Sequence, residues 1–175
     1  MIVKDLLKLG KDQLATKNIA PVEAELLLAH ALGINRMELH GRIIELSKEQ
    51  AAETAEIYNQ AIAERLTGKP TQYIVGLAPF RYLEYEVGPG VLIPRPETES
   101  LVDEVLHQLN TFADPVSLVD LGSGTGAIAI SIASETAGKK VVHVVAVEKS
   151  TEAIVWLQKN ITKHDVSVRV IDEDV

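Results

Sequence analysis

The string Val119-Asp120-Leu121-Gly122-Ser123-Gly124-Thr125-Gly126-Ala127 constrains this chain more than any other stretch of it. An apolar run from Val116 leads into it and a helical pattern, from Ile128 to Ala133, leads out, so it reads as a turn from a strand into a helix. Glycines at 122, 124 and 126 allow positive φ and leave bare backbone beside whatever lies in the crevice at the strand ends. The helix N-terminus beyond them is expected to point unpaired N–H groups at that crevice. Around this turn strand and helix alternate: strand 116–121, helix 126–136, strand 141–147, helix 151–162 and strand 166–171. That is the opening βαβαβ of a parallel, doubly wound sheet, and the fold class is α/β.

The preceding residues have a different period. Residues 1–70 read as a small helical domain, beginning with a first helix whose face carries Ile2, Leu6, Leu7 and Leu14 and which fades near Lys17 and Asn18. A second helix opens on Pro21 and closes at Gly33, after Leu26, Leu28, Ala29 and Leu32. A third has a capping box in Ser47 and Gln50, a stripe of Ala51, Ala55, Tyr58, Ile62 and Leu66, and a stop at Gly68 and Pro70. Residues 71–93, with Tyr73, Ile74 and Val75 and then Phe80, Tyr82, Leu83, Tyr85 and Val87, read as a β-hairpin or paired short strands. Residues 94–175 then form the incomplete ligand-binding domain, opening with Pro94-Arg95-Pro96 and a helix through Leu101, Val102, Val105, Leu106 and Leu109.

The ligand can be argued from two acids. Glu148 ends the second strand, 26 residues after Gly122, where a carboxylate can accept both hydroxyl hydrogens of a ribose. Gly122-x-Gly124-x-x-Ala127 also satisfies the dinucleotide pattern, so an NAD or FAD site stays open on the glycines alone. Two features favour S-adenosylmethionine: a third glycine at 126, and Asp120 two residues before the first glycine, which resembles the acid that faces the cationic methionine portion in methyltransferases and would repel a pyrophosphate. The chain has no cysteine, which removes disulfides, Cys-ligated zinc, iron–sulfur clusters and thiol nucleophiles. His30, His40, His107, His143 and His164 show no metal-ligand spacing, so no metal is expected.

Charge separates the same two halves. Residues 1–70 hold 10 acids and 9 bases, and the remainder holds 15 acids and 8 bases, within a net charge of −8. Such a surface argues against binding a phosphate backbone, so no direct nucleic-acid contact is expected, and it suits a small molecule or a basic protein. No run of about 18 apolar residues occurs, hence no membrane span and a cytoplasmic location are expected. Tyr82 and Tyr85 alternate as core residues of a half-buried strand should. Trp156 is expected to pack on the sheet, and His143 to be a hydrogen-bonded core residue.

The string Val91-Leu92-Ile93-Pro94-Arg95-Pro96-Glu97-Thr98-Glu99 resembles the Pro-Arg-Pro-Glu-Thr-Glu signature of the release factor glutamine methyltransferases, the HemK or PrmC family. By itself it could be a rigid linker whose prolines fix direction. Further likeness lies in Gly68-Lys69-Pro70-Thr71-Gln72-Tyr73-Ile74-Val75-Gly76, in residues 120–129 and in residues 153–160. The resemblance implies a class I methyltransferase whose S-adenosyl-L-methionine site is formed by Asp120, Gly122, Ser123, Gly124, Thr125, Gly126 and Glu148. It implies Asp174 near the adenine, and Arg95, Glu97 and Thr98 near the methyl-transfer centre. It also implies that the helical domain recognises a peptide chain release factor, whose Gly-Gly-Gln glutamine takes the methyl on its side-chain amide.

The family's Asn-Pro-Pro-Tyr, which holds the substrate amide, has no counterpart here, since the last proline is Pro115 and the last tyrosine Tyr85. No catalytic residue is therefore expected within this sequence, which reads as the N-terminal portion of a longer enzyme, inactive alone, with its first strand left on a sheet edge. The remaining readings are a methyltransferase of this fold acting on another protein or nucleic-acid amine, and a non-catalytic binding module.

Overall fold

The computed structural model describes residues 3–41 and 44–174, which fall into two compact units dividing between Val75 and Gly76. The helical unit contains α1 (Val3–Ala15), α2 (Pro21–Leu32), α3 (Glu38–Gly41), α4 (Lys48–Leu66) and α5 (Thr71–Val75). Leu6 and Leu14 of α1, Leu27 and Leu28 of α2 and Tyr58 and Ile62 of α4 are buried together as its core. Ile2, expected on the α1 stripe, lies outside the described residues, and Leu26 of α2 faces solvent instead of the core.

Local chemistry explains the helix ends. Gly33 closes α2 at φ 64°. Ser47 Oγ accepts from Gln50 N at 3.2 Å while Gln50 Oε1 accepts from Ser47 N at 3.0 Å, the reciprocal cap expected of α4. The expectation of strand at Tyr73, Ile74 and Val75 is wrong. Those residues form α5, with Pro70 O accepting from Tyr73 N at 3.0 Å and Ile74 N at 3.2 Å. Ile74 and Val75 pack against the helical core, and that burial overrides the β preference of their side chains.

In the second unit, β1 (Leu77–Phe80) and β2 (Leu83–Glu86) form the expected hairpin, with Leu77 opposite Glu86 and Phe80 opposite Leu83. Tyr85 is fully buried, and its hydroxyl donates to Ala127 O at 3.1 Å. Tyr82 is 83% exposed, not a core residue, because the register places it in the two-residue turn with Arg81. Arg81 holds that turn: its guanidinium reaches Glu135 at 2.9 Å and Asp103 at 2.8 Å, and its N–H donates to Glu99 at 3.0 Å.

A 3-10 turn (Pro96–Thr98) leads into α6 (Glu99–Leu109). Then follow β3 (Val116–Leu121), α7 (Ala127–Thr136), β4 (Val142–Glu148), α8 (Thr151–His164) and β5 (Val168–Asp172). The three strands are parallel in the order β3-β4-β5, with Val116 beside Val142 and Glu148 beside Asp172. This is the Rossmann-like arrangement expected. Among the described residues β3 is an edge strand, with Val119 55% and Leu121 61% exposed. His143 faces solvent near the start of β4, so it is not the core residue expected; the face it shares with Val145 and Val147 is covered only toward Val147.

Candidate functional site

The C-terminal ends of β3 and β4 bring Asp120, residues 122–126 and Glu148 together. Gly122 N and Ser123 N both donate to Val147 O, at 2.8 and 3.1 Å, which fastens the turn to the neighbouring strand. The buried Ser123 hydroxyl donates to Asp120 O at 2.9 Å. Gly126 stands at φ 81°, and a Cβ there would lie 2.5 Å from Leu157 Cδ1 and 2.7 Å from Ile130 Cδ1. Both its conformation and its surroundings therefore require glycine.

The two acids do more than line the crevice. Asp120 Oδ2 accepts from Ala129 N at 3.2 Å, so a carboxylate from β3 caps α7, whose own N-cap Gly126 has no side chain to do so. Glu148 Oε2 accepts from Gly124 N at 2.9 Å, and Glu148 Oε1 accepts from Lys149 N at 3.0 Å and Ser150 N at 2.9 Å. Most N–H groups of the turn are thus engaged, those of Gly122, Ser123, Gly124 and Gly126, and at the helix N-terminus Ala129 N also donates within the protein. Sequence reasoning missed this because Glu148 lies 24 residues from Gly124 and Val147 as far from Ser123.

Electrostatics follow. Burial pushes the Asp120 carboxyl above its ordinary value against the Ala129 N–H, and the Glu148 charge pushes the same way. Burial also raises Glu148, but the N–H groups of Ser150, Gly124 and Lys149 outweigh it and hold that carboxyl below its ordinary value. Carboxylates therefore hold the Gly124 and Ala129 amides, which are not offered to an incoming anion. Such a loop suits a hydroxyl-bearing or cationic ligand, and a pyrophosphate would meet repulsion.

The other residues singled out in the sequence are placed less centrally. Asp174 follows β5 and pairs with Lys149 at 3.0 Å, both largely exposed, while Glu173 N donates to Glu148 O at 3.3 Å. Arg95 and Glu97 are exposed and Thr98 is half-buried at the 3-10 turn. The segment before them meets the glycine turn through Val91, whose Cγ2 lies 3.8 Å from the Cβ position of Gly124.

That segment is held by a stripe on α8 which sequence reasoning did not find. Glu152, Trp156, Asn160 and His164 recur every four residues and meet Gly90, Gly88 with Pro89, Glu86 and Glu84, which recur about every two. A Cβ on Gly90 would lie 2.7 Å from Glu152 Cβ, and one on Gly88 2.4 Å from Trp156 Cζ2. Trp156 Nε1 donates to Pro89 O at 3.1 Å, Asn160 exchanges bonds with both backbone groups of Glu86, and His164 Nε2 donates to Glu84 O at 3.1 Å. Four helical residues advance about 6 Å and two extended residues about 6.7 Å, so helix and strand stay in step over this length. Trp156 thus packs on the loop beyond the hairpin, not on the sheet as expected. The signal in the sequence is the i, i+4 spacing of Glu152, Trp156, Asn160 and His164.

The PrmC N-terminal domain matches residues 5–76, and the methyltransferase small domain matches residues 100–175. The chain carries a PrmC N-terminal domain followed by a methyltransferase small domain. A release factor glutamine methyltransferase from Bifidobacterium longum is 37% identical over 169 residues, covering 93% of this chain and 55% of that protein. One from Burkholderia pseudomallei is 42% identical over 142 residues, covering 81% of this chain and 47% of that protein. The chain spans about half the length of the curated PrmC relatives it matches. Among solved structures, a Pyrococcus abyssi tRNA (uracil-54, C5)-methyltransferase in complex with S-adenosyl-L-homocysteine aligns at a TM-score of 0.44 and 16% identity. It covers 57% of this chain and 24% of its own, too slight a likeness to add to the strand order itself.

Proposed function

We propose that residues 94–175 are the cofactor-binding part of an S-adenosyl-L-methionine-dependent methyltransferase that modifies the glutamine amide of the Gly-Gly-Gln loop in peptide chain release factors. The observation that carries the cofactor is the carboxylate lining of the turn, with Glu148 on Gly124 N and Asp120 on Ala129 N. Residues 122–126 would lie against the methionine and ribose portions. Glu148 would accept a ribose hydroxyl on the remaining lone pair of Oε2, Asp120 would face the cationic methionine portion, and Asp174 would approach the adenine. The cofactor supplies the methyl group as an electrophile when bound.

Arg95, Glu97 and Thr98 would stand near the transfer centre, at the end of the segment that α8 holds against Gly124. Residues 1–70 would recognise the release factor, with residues 71–93 as the connector. The names of the PrmC relatives support this acceptor. An amide nitrogen is a poor nucleophile and must be held in line with the methyl group by hydrogen bonds. The family resemblance assigns that purpose to Asn-Pro-Pro-Tyr.

Calorimetry of the chain with S-adenosylhomocysteine and, separately, with NAD tests the reading. Saturable binding of S-adenosylhomocysteine with none of NAD is expected; the reverse preference would overturn it. Transfer of labelled methyl to a release factor, abolished when its Gly-Gly-Gln glutamine is replaced, tests the acceptor in a protein that also carries Asn-Pro-Pro-Tyr.

A further inference from the structure

Asn160 differs from the other members of the α8 stripe in being fully buried. Its Oδ1 accepts from Glu86 N at 2.7 Å, and its Nδ2 donates to Glu86 O at 3.0 Å and to Thr125 O at 3.1 Å. The partners fix which end is which, since two carbonyls can only accept and one N–H can only donate. One side chain therefore satisfies three backbone groups from two separate segments, and removing it would leave them buried without partners.

The Thr125 carbonyl belongs to the peptide unit whose N–H is that of Gly126, and that N–H donates to Ser123 O at 2.8 Å. The unit is thus pinned at both ends, by α8 on one side and by the turn itself on the other. Gly126 has no Cβ to resist rotation of that peptide, so the pin on the carbonyl replaces a restraint that a side chain elsewhere supplies. On its other face the same amide fixes Glu86, from which the backbone runs to Val91 beside Gly124.

We propose that Asn160 is a positioning residue that sets the geometry of the cofactor turn through Thr125 and locks it to the segment leading toward Arg95 through Glu86. The consequence for ligand binding rests on the proposed S-adenosylmethionine reading; the consequence for the turn does not. Asn160→Asp keeps the shape and the acceptor for Glu86 N but sets a carboxylate against two carbonyls, whereas Asn160→Ala removes all three bonds.

Amide hydrogen exchange and S-adenosylhomocysteine calorimetry on the full chain test this. Exchange at Gly124 and Gly126 should quicken at least tenfold in both variants while Val144, Ala146 and Val147 of β4 stay unchanged. Affinity should fall roughly tenfold or more, further for Asn160→Asp than for Asn160→Ala. Unchanged exchange in the turn, or an equal acceleration throughout the unit, would overturn the proposal. Asn160→Ser repeats the comparison if Asn160→Asp does not fold. If the unsubstituted chain does not bind S-adenosylhomocysteine, the function proposed above fails, while quickened exchange confined to the turn still supports the positioning role.

Discussion

In the helical unit the carboxylates of Glu23 and Glu25 meet cationic side chains, whereas in the sheet unit those of Asp120 and Glu148 meet backbone N–H groups. Glu25 gathers Lys11 at 2.7 Å, Arg36 at 3.0 Å and His40 at 3.3 Å, and Glu23 takes Arg65 at 2.6 Å. A pair of side chains can part and be resolvated separately, so losing one costs stability and leaves the backbone where it was. A carboxylate on an amide sets where the chain runs. Disturbing the first unit should change how firmly it folds, and disturbing the second should change what it binds.

The largest contrast is between two glycines. A Cβ on Gly10 would lie 1.8 Å from the Tyr58 hydroxyl, and one on Gly126 meets Leu157 and Ile130. Gly10→Ala and Gly126→Ala should each destabilise their unit by about 2–3 kcal/mol in denaturant titrations. Only Gly126→Ala should also abolish S-adenosylhomocysteine binding, and loss of binding in both variants would break the comparison.

Asp120→Asn comes next. Its Oδ1 can still accept from Ala129 N, and it removes a buried charge, so the melting temperature at pH 7 should hold or rise while ligand affinity falls roughly tenfold, about 1.4 kcal/mol. Because folding raises the Asp120 pKa, the charged group disfavours folding once ionised, and the gain should shrink as the pH falls toward 3.8. A variant both less stable and equally avid would reverse the roles assigned here.

Glu25→Gln should do the opposite, lowering stability by about 1 kcal/mol at neutral pH with ligand affinity untouched. Lys11 foremost, with His40 and Arg36, holds the Glu25 carboxyl down at about 2 from an ordinary 4.5, against the cost of burial. Its contribution is therefore complete above 4.5 and fades as the pH falls through that range toward 2, where the variant and the parent should melt alike. The smallest effect is expected of Tyr58→Phe. The Tyr58 hydroxyl is buried with no hydrogen-bond partner among the described residues, so removing it should raise stability by up to about 1 kcal/mol.

What could be read from the sequence divides along the same line. The strands, the glycine turn and the α4 cap were legible because periodicity, φ requirements and capping act between residues close in the chain. Residues 71–75 were misread because the preference of Ile74 and Val75 for strand is weaker than their burial against the helical core. Tyr82 was misread because a two-residue turn set its exposure, and His143 because an apolar strand was taken to be covered along its whole length. The pattern announces acids at 120 and 148 beside the glycine turn, but their hold on Ala129 N and Gly124 N depends on how β3 and β4 lie side by side. The Glu25 cluster joins residues from α1, α2, α3 and the turn after α2, and no local pattern announces it.

The matched pitch of α8 and the segment it carries has a consequence for how such a chain can vary in length. One residue inserted between Glu84 and Gly90 would turn each following side chain to the opposite face, and one inserted between Glu152 and His164 would rotate the stripe by about 100°. Either change alone would uncouple most of the contacts at once, and no single substitution could restore them. These two stretches are therefore expected to keep fixed lengths in functional versions of the protein, and to tolerate changes of residue far better than changes of count.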